Sequence, residues 1–342
     1  MNTRYLTLDR VNFDEKELES AAEIIRSGGL VAFPTETVYG LGADALNESA
    51  AEKIYEAKGR PSNNPLIVHI SKIEDAEKYV EVDERYYKIA SAFMPGPITV
   101  IMPSKKVVAD SVCAGLDTLA IRCPSHPIAR AFIEACDRPI AAPSANTSGR
   151  PSPTTAAHVT HDLDGKVDMI IDGGECEVGL ESTIIKLEGD RCVLLRPGGV
   201  TYEMLCELLG EVEIAHGVLS KPREDDKVES PGMLIAHYAP KAPLYLVKGD
   251  ECQVTEYLEN KINTEGAYVL SFDGVIGESD RIISLGDKKD KTEAGQRLFA
   301  ALREADELGA ECIYASYPDK EGIGLALLNR MLRAAAFKII EL

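Results

Sequence analysis

Short apolar runs alternate with amphipathic stretches from the start of the chain to about residue 210. The runs are rich in β-branched residues and end at glycine, proline or polar residues, which is typical of buried strands. They predict strands at residues 30–33, 66–70, 98–102, 118–123, 139–146, 169–174, 182–187 and 192–198. The stretches between them predict helices at residues 14–27, 49–58, 83–94, 127–136 and 201–209.

The order of these elements predicts an α/β domain over residues 1–210. Its late strands follow one another without intervening helices, so some neighbouring strands must be antiparallel and the sheet must be mixed. We expect a twisted mixed sheet with helices around a ligand cleft, because open α/β sheets bind ligands at the ends of their strands.

The regular pattern fades over residues 211–242, which we interpret as a linker between two domains. This segment contains the charged stretch KPREDDKVES and then SPGMLIAHYAP, in which a glycine and two prolines interrupt any helix. The pattern resumes with strands predicted at residues 243–247, 267–272, 281–286 and 312–318, and helices at residues 251–262, 292–308 and 323–337. Residues 243–342 therefore predict a smaller, Rossmann-like α/β domain, although it lacks the GxGxxG dinucleotide motif.

Composition narrows the class of protein. A length of 342 residues suits two domains, and a net charge of -19 argues against extended contact with a nucleic acid backbone. No apolar run approaches the roughly 20 residues that span a bilayer, and the start lacks a signal-peptide core, so we expect a cytoplasmic protein. Eight cysteines without any Cys-x-x-Cys pair predict reduced thiols, with neither a zinc site nor a disulfide framework.

Polar residues gather where the first predicted strand ends, in FPTETVYGLG. Pro34 cannot donate to a sheet ladder, so the hydroxyls that follow it should lie at the strand's end. Lys58 and Arg60 close the next predicted helix, and in isolation such cations more often offset the helix dipole than bind a ligand. Together with Thr35, however, they suit a polar, anionic ligand.

Further polar clusters end other predicted strands, and each has a simple structural alternative. Arg122 could be a solvated arginine, and Ser144 with Asn146 could form an ordinary turn. Glu181-Ser182-Thr183 could be a cap or a hairpin edge. Arg196, before a proline-glycine turn, could be an exposed strand end, although arginine is also the preferred partner of phosphate and carboxylate. A histidine within an apolar run such as LIVHI, here His69, is more often a hydrogen-bonded residue of the sheet than a residue that binds a ligand.

The catalytic motifs that the chain lacks limit the reaction type. It has no Gly-x-Ser-x-Gly elbow, no Walker loop, no HExxH and no kinase signature set. Covalent catalysis is therefore unsupported. A site rich in Lys, Arg, Ser, Thr and Asn fits phosphoryl or nucleotidyl transfer, which depends mainly on positioning and charge neutralisation.

An ordered set of motifs resembles the L-threonylcarbamoyladenylate synthase family over residues 15–209. The motifs are FPTETVYGLG, AKGRPSNNPLIVHI, MPGPIT, GLDTLAIRCPSHP, AAPSANTSGRPSPT, IIDGG, GLESTII and LLRPGG. The downstream SPGMLIAHYAP and α/β region resemble the longer, two-domain form. The resemblance implies a nucleotidyltransferase in which L-threonine, bicarbonate or CO2, and ATP give L-threonylcarbamoyladenylate and pyrophosphate, for modification of tRNA adenosine beside the anticodon.

The resemblance also implies roles for individual residues. Threonine would be surrounded by Thr35, His69, Arg122, Ser182 and the backbone of Ala142, with Arg122 holding its carboxylate. ATP would be bound by Lys58, Arg60, Asn64, Thr118, Ser144, Asn146, Ser152, Arg196 and Tyr238. We expect Lys58 and Arg196 to be surface residues of the cleft. No residue is assigned as a catalytic nucleophile.

The resemblance gives the linker, residues 211–242, the role of a lid over the nucleotide site. Leu234-Ile235-Ala236 departs from the basic and aromatic residues usual there, and none of these three side chains is cationic. No tightly bound cofactor or metal site is implied; Mg²⁺ would arrive with ATP. Downstream tRNA-modifying enzymes would be partners.

Two other hypotheses compete with the synthase. One is a tRNA or double-stranded RNA binding protein, against which the net charge of -19 weighs. The other is a carbamoyl-transfer module like that of hydrogenase maturation factors, whose paired Cys-x-x-Cys motifs and acylphosphatase region this chain lacks.

Overall fold

The computed structural model describes residues 2–221 and 237–342. Eleven strands form one large sheet in the order β1-β8-β2-β3-β7-β4-β6-β5-β9-β10-β11. The strands are β1 (Arg4–Thr7), β2 (Val31–Phe33), β3 (Gly40–Asp44), β4 (Ile67–His69), β5 (Ile98–Pro103), β6 (Thr118–Arg122), β7 (Ile140–Ala142), β8 (Met169–Asp172), β9 (Thr183–Glu188), β10 (Arg191–Arg196) and β11 (Glu213–Ile214). Parallel pairs such as β4 with β6 and antiparallel pairs such as β9 with β10 confirm the predicted mixed sheet.

Helices cover both faces of the large sheet. They are α1 (Glu19–Arg26), α2 (Glu48–Lys58), α3 (Glu84–Phe93), α4 (Asp110–Cys113), α5 (Pro127–Cys136), α6 (Ala156–Leu163) and α7 (Tyr202–Leu209), with 3₁₀ helices at Glu15–Leu18, Ile73–Lys78 and His216–Val218. One apolar cluster joins α1 and α5 to Val31 and Phe33, and another joins α2, α3, α6 and α7 to the sheet's other face. The alternation of Val31, Ala32 and Phe33 between these clusters follows the two-residue period of a strand.

Within residues 2–221, strands β1, β3 and β11 and helices α4 and α6 were not predicted, and strand β7 is shorter than predicted. Strand β3 begins within FPTETVYGLG, where only polar strand-end residues were expected. Gly42 makes this strand possible in a tightly packed sheet. A larger residue would collide with Ile140, because an added Cβ at position 42 would lie 2.8 Å from that side chain. Strand β7 stops at Ala142 because Pro143 follows, so residues 143–146 form a loop. Helix α6 was not predicted; Thr155 caps it directly after a proline-rich stretch.

The second sheet has five strands, all parallel, in the order β14-β13-β15-β12-β16. They are β12 (Leu244–Lys248), β13 (Tyr268–Ser271), β14 (Ile282–Ser284), β15 (Ile313–Ser316) and β16 (Ile339–Glu341), and the helices are α8 (Glu251–Glu265), α9 (Lys291–Glu307) and α10 (Ile323–Ala334). This arrangement confirms the Rossmann-like α/β class. Most of KPREDDKVES, and Leu234-Ile235-Ala236, lie outside the described residues.

Helices α9 and α10 pack against the first sheet's domain. Val38 and Leu180 belong to the same apolar cluster as Leu298 and Phe299, so the second core extends into the first domain. Arg303 of α9 pairs with Asp162 of α6 at 2.8 Å, and both side chains are buried. None of the described helices is long and apolar enough to cross a membrane. All eight cysteines are free thiols, as predicted, and most are buried.

Candidate active site

A small, mostly buried cavity lies between the segment after β2, the ends of β4, β6 and β10, and the loop after β7. Most of the predicted site residues line it, namely Thr35, Lys58, Arg60, His69, Arg122, Ala142, Ser144, Asn146, Arg196 and Tyr238. Ser152 and Ser182 lie one hydrogen bond behind that lining. Asn64 precedes β4 and Thr118 begins β6, and the structure places neither in the lining of the cavity.

Strand pairing brings the predicted threonine-site residues together. In the parallel pair of β4 and β6, His69 lies beside Arg122, and in the antiparallel pair of β4 and β7, Ile67 lies beside Ala142. Thr35 accepts a hydrogen bond from the Arg122 guanidinium at 3.4 Å. Residues up to 87 positions apart therefore meet because their strands end at the same place.

Arg122 is paired with a carboxylate that the sequence did not identify. Its Nη2 donates to Oε1 of Glu36 at 2.6 Å, and both side chains are almost fully buried. Glu36 also accepts a hydrogen bond from the backbone N–H of Ser125. The Nε of Arg122 is buried without a hydrogen-bond partner among the described residues. The alternative of a solvated arginine is wrong.

His69 is a neutral, fixed imidazole. Its Nδ1 lies 3.1 Å from the carbonyl oxygen of Ile67, and its ring meets Phe33 edge-on at 6.0 Å. Burial, and then the nearby Arg122 cation, lower the pKa of His69 to about 3. At neutral pH the ring can therefore exchange hydrogen bonds with a ligand but carries no charge.

Lys58 is not the surface residue of the cleft that the sequence predicted. Its side chain is buried, and its ammonium donates to the carbonyl oxygens of Ser144 and Asn146 at 2.5 Å each. These carbonyls take the place of water around the charge. Burial, and then the neighbouring Arg60, hold the pKa of Lys58 well below its usual value.

Arg196 is likewise buried, which contradicts its predicted place on the surface. Its Nε donates to the carbonyl oxygen of Ser182 at 3.1 Å, and its Nη2 donates to the Ser182 hydroxyl at 3.3 Å. Arg60 donates to the carbonyls of Asn64 and Pro65. Burial lowers the pKa of Arg60 and of Arg196 to about 10, so both stay protonated at neutral pH.

Glu181 lines the same cavity, although the sequence suggested only a cap or a hairpin edge. Its carboxylate accepts hydrogen bonds from the Ser152 hydroxyl and from Nε of Arg330, the latter at 2.7 Å. Burial would raise its pKa, but the cations Arg330 and Arg196 outweigh that effect and lower it to about 2. Glu181 is therefore a permanent negative charge between arginines.

Tyr238 and His237 close one side of the cavity. Tyr238 is buried between Phe299, at a ring distance of 5.1 Å, and the Arg330 guanidinium, at 5.8 Å. His237 packs edge-on against Tyr238, and its Nδ1 is buried without a partner among the described residues. The resemblance assigned ATP binding to Tyr238 and not to His237, and the structure places both rings in the lining of the cavity.

The charges in the cavity suit an anionic ligand rather than a metal centre. Across residues 2–221 and 237–342, no three His, Cys, Asp or Glu side chains are grouped so that they could hold a metal ion. The cavity instead gathers Lys58, Arg60, Arg122 and Arg196 around two carboxylates, Glu36 and Glu181. Such a site can bind phosphate and carboxylate groups and offset charge that develops during a reaction.

Comparisons with known proteins agree with this arrangement. The family model described as "Telomere recombination" matches residues 23–198, and that described as "Threonylcarbamoyl-AMP synthase, C-terminal domain" matches residues 200–336. The threonylcarbamoyl-AMP synthase of Pyrococcus abyssi is 45% identical over 340 residues, covering 97% of this chain and 98% of the relative. That of Bacillus subtilis is 42% identical, covering 97% of each.

Solved structures extend the likeness to the whole fold. The crystal structure of P. abyssi Sua5 in complex with L-threonine superposes with a TM-score of 0.92 at 43% identity, covering 99% of this chain and all of the other. The structure of Escherichia coli YciO superposes with a TM-score of 0.52 at 27% identity. The match covers 58% of this chain and 96% of YciO. The family resemblance seen in the sequence is confirmed, and the chain belongs to the threonylcarbamoyl-AMP synthase family in its two-domain form.

Proposed function

We propose that this chain joins L-threonine, bicarbonate or CO2, and ATP into threonylcarbamoyl-AMP, with release of pyrophosphate, in the cavity described above. The observation that carries the proposal is the convergence of Lys58, Arg60, Arg122 and Arg196 on one buried cavity. Four cations against two carboxylates give a net positive site in a chain whose net charge is -19. This local excess suits a nucleotide and a carboxylate bound side by side.

The chemistry needs charge compensation more than it needs a nucleophile on the protein. A threonine carbamate would attack the α-phosphorus of ATP, and both reactants are anionic. Arginines fixed before the reaction stabilise the charge that accumulates, without reorganisation at the moment of transfer. Burial strengthens these interactions, because the cavity excludes most of the water that would screen them.

We assign threonine to the side of the cavity formed by β4, β6 and β7. Arg122 would hold the carboxylate through the guanidinium edge not used by Glu36, while the hydroxyl of Thr35 and the neutral ring of His69 supply partners for polar groups of the substrate. Ala142 and Ser182 would complete this half. A site that hydrogen-bonds the substrate hydroxyl discriminates strongly against amino acids without one.

We assign ATP to the side that holds Lys58, Arg60, Ser144, Asn146, Arg196 and Tyr238, with Asn64, Thr118 and Ser152 as outer members and Mg²⁺ arriving with the nucleotide. The cavity has a volume of about 40 Å³, which holds only a water or two. ATP binding therefore requires outward movement of His237 and Tyr238. Their return would shield a reactive mixed anhydride from water.

The product implies a place beside enzymes that transfer the threonylcarbamoyl group to tRNA adenosine next to the anticodon, and a cytoplasmic location fits that role. No observation favours the alternative of direct RNA binding. The cations of the site are buried around a small cavity, whereas a nucleic acid backbone needs a row of exposed ones.

Pyrophosphate release tests the proposal. Purified protein is incubated with ATP and Mg²⁺, with L-threonine or bicarbonate left out in turn, and pyrophosphate and the adenylate are quantified without RNA. We expect product only when both co-substrates are present. Pyrophosphate release that persists without threonine or without bicarbonate would reject the synthase assignment.

A further inference from the structure

Helix α10 of the second domain places one arginine against the cavity of the first. Arg330 has no solvent exposure, and its Nε donates to the Glu181 carboxylate at 2.7 Å. Its Nη2 donates to the carbonyl oxygen of Glu181 at 3.1 Å, and its Nη1 to that of Pro197 at 2.8 Å. One guanidinium therefore connects Glu181, two positions before β9, with Pro197, directly after β10.

These two attachment points flank Arg196. Pro197 directly follows it in the chain, and Ser182, next to Glu181, accepts hydrogen bonds from its Nε and Nη2. The pairing of β9 and β10 shifts register between Leu194 and Arg196, and Arg196 lies beside Ile184 after the shift. The second domain therefore braces the strand ends that present Arg196 to the cavity.

Arg330 also determines which cation the Glu181 carboxylate pairs with. Arg330, and then Arg196, are the cations that lower the pKa of this carboxylate most. Arg330 does not line the cavity, so it donates its hydrogen bond to the Glu181 carboxylate from outside the lining. Without Arg330, Arg196 would be the main remaining cation acting on a buried carboxylate. A buried charge that loses one partner pairs with another or becomes protonated.

A second buried arginine provides the comparison for a purely structural role. Arg303 of α9 pairs with Asp162 through two hydrogen bonds and donates to the carbonyl of Pro151. It is buried to a similar degree and also connects the two domains, but Asp162 does not border the cavity. Arg330 differs because its carboxylate partner does.

We propose that Arg330 is a positioning residue for the nucleotide half of the site: it engages Glu181 so that Arg196 remains directed toward the phosphates of ATP. This inference rests on the proposed function. It makes the second domain part of the machinery for ATP binding, because the domain supplies the partner of a carboxylate that would otherwise compete with the nucleotide for Arg196.

The test compares Arg330→Met with the double variant Glu181→Gln/Arg330→Met, each assayed well below its Tm. We expect Arg330→Met to raise the KM for ATP by at least about tenfold, with the KM for threonine changed by less than about twofold. That KM for ATP should also become pH-dependent between pH 5 and 8. The double variant should recover most of the loss, since a neutral amide does not compete for Arg196.

Arg303→Met is the matched control, and we expect it to lower Tm while leaving the KM for ATP unchanged. Calorimetric titration with ATP measures nucleotide binding independently of turnover, so a failure of the synthase assignment is distinguishable from a failure of this inference. An unchanged ATP affinity in Arg330→Met would overturn it. An equal loss in Arg303→Met, or a double variant as weak as the single one, would also overturn it.

Discussion

The cations of the cavity are held by protein oxygens rather than by water. Lys58 donates to two carbonyls of the loop after β7, Arg60 to two carbonyls before β4, and Arg122 to Glu36. Each contact fixes a charge before any ligand arrives, which is the arrangement that charge-stabilising catalysis requires. The same contacts make these residues part of the folded core.

Lys58 should therefore affect both stability and activity. We expect Lys58→Met to lower the free energy of unfolding by about 2 to 4 kcal/mol, because the carbonyls of Ser144 and Asn146 lose their donor. Urea denaturation measures this change. Lys105→Met is the control, since Lys105 is exposed and donates to the single carbonyl of Glu77; its cost should stay below about 1 kcal/mol. Equal costs in the two variants would contradict this account.

The sequence located most residues of the cavity but not their partners. Thr35, Lys58, Arg122 and Arg196 are recognisable because they end predicted strands or helices within distinctive motifs. Their burial was not predictable, since it depends on which carbonyls and carboxylates the fold brings beside them. Glu36 was visible within FPTETVYGLG, yet nothing in that string shows that it faces Arg122, 86 residues away.

The turn after β10 borders the part of the cavity proposed to bind the nucleotide. Gly198 lies so close to β9 that an added Cβ would come within 2.4 Å of the backbone nitrogen of Thr183 and 2.7 Å of the carbonyl oxygen of Glu181. Backbone atoms cannot move aside as a side chain can. Only glycine lets this turn approach the residues that hold Arg196.

Gly198→Ala should thus separate the ends of β9 and β10. We expect the unfolding free energy to fall by about 2 to 3 kcal/mol, with a loss of ATP affinity as Arg196 shifts. Thermal unfolding and ATP titration measure the two effects. At Gly217 an added Cβ would meet nothing within 4 Å, so Gly217→Ala should be neutral. Normal ATP binding in Gly198→Ala would show that this contact does not matter.

Among the elements, those with a strong periodic pattern were predicted well. Helices α2, α5 and α9 and strands β4 and β9 lie within two residues of the predicted bounds. Strand β3 was missed because its sequence, GLGAD, has glycines where a strand normally shows β-branched residues. Its glycines are explained by tight packing against Phe33 and Ile140, which only the folded sheet reveals.

At the scale of the molecule, the two α/β units share apolar clusters and, among the described residues, two ion pairs with both side chains buried. Arg330 reaches Glu181 across 149 positions of sequence, and Arg303 reaches Asp162 across 141. No local pattern predicts such contacts. The one sequence signal for these contacts is an arginine among the apolar residues of LALLNRML. An arginine within a buried helix needs a paired partner, because arginine is almost never fully buried without one.

Buried neutral histidines should make the whole molecule sensitive to mild acid. Burial, followed by a nearby arginine, lowers the pKa of His69 to about 3 and that of His126 to about 4. Both groups take up a proton only on unfolding, so their contribution is complete above about pH 6.5 and is lost as pH falls. Between pH 7 and pH 5 we expect a loss of about 2 kcal/mol for each histidine.

Urea denaturation at pH 7 and pH 5 measures this loss. His126→Gln should reduce the difference between the two pH values by about 2 kcal/mol, because one proton fewer is taken up on unfolding. If wild-type stability were the same at both pH values, these two rings would not be neutral in the folded protein.

A crystal structure of this protein with L-threonine and a non-hydrolysable ATP analogue would show directly whether the cavity is a two-substrate site. The account predicts the threonine carboxylate within hydrogen-bond distance of Arg122, and the phosphates in contact with Lys58, Arg60 and Arg196. It also predicts that the bond from Arg330 to Glu181 is retained. Threonine or the nucleotide bound outside this cavity, or phosphates that contact Arg122 instead of Arg196, would contradict it.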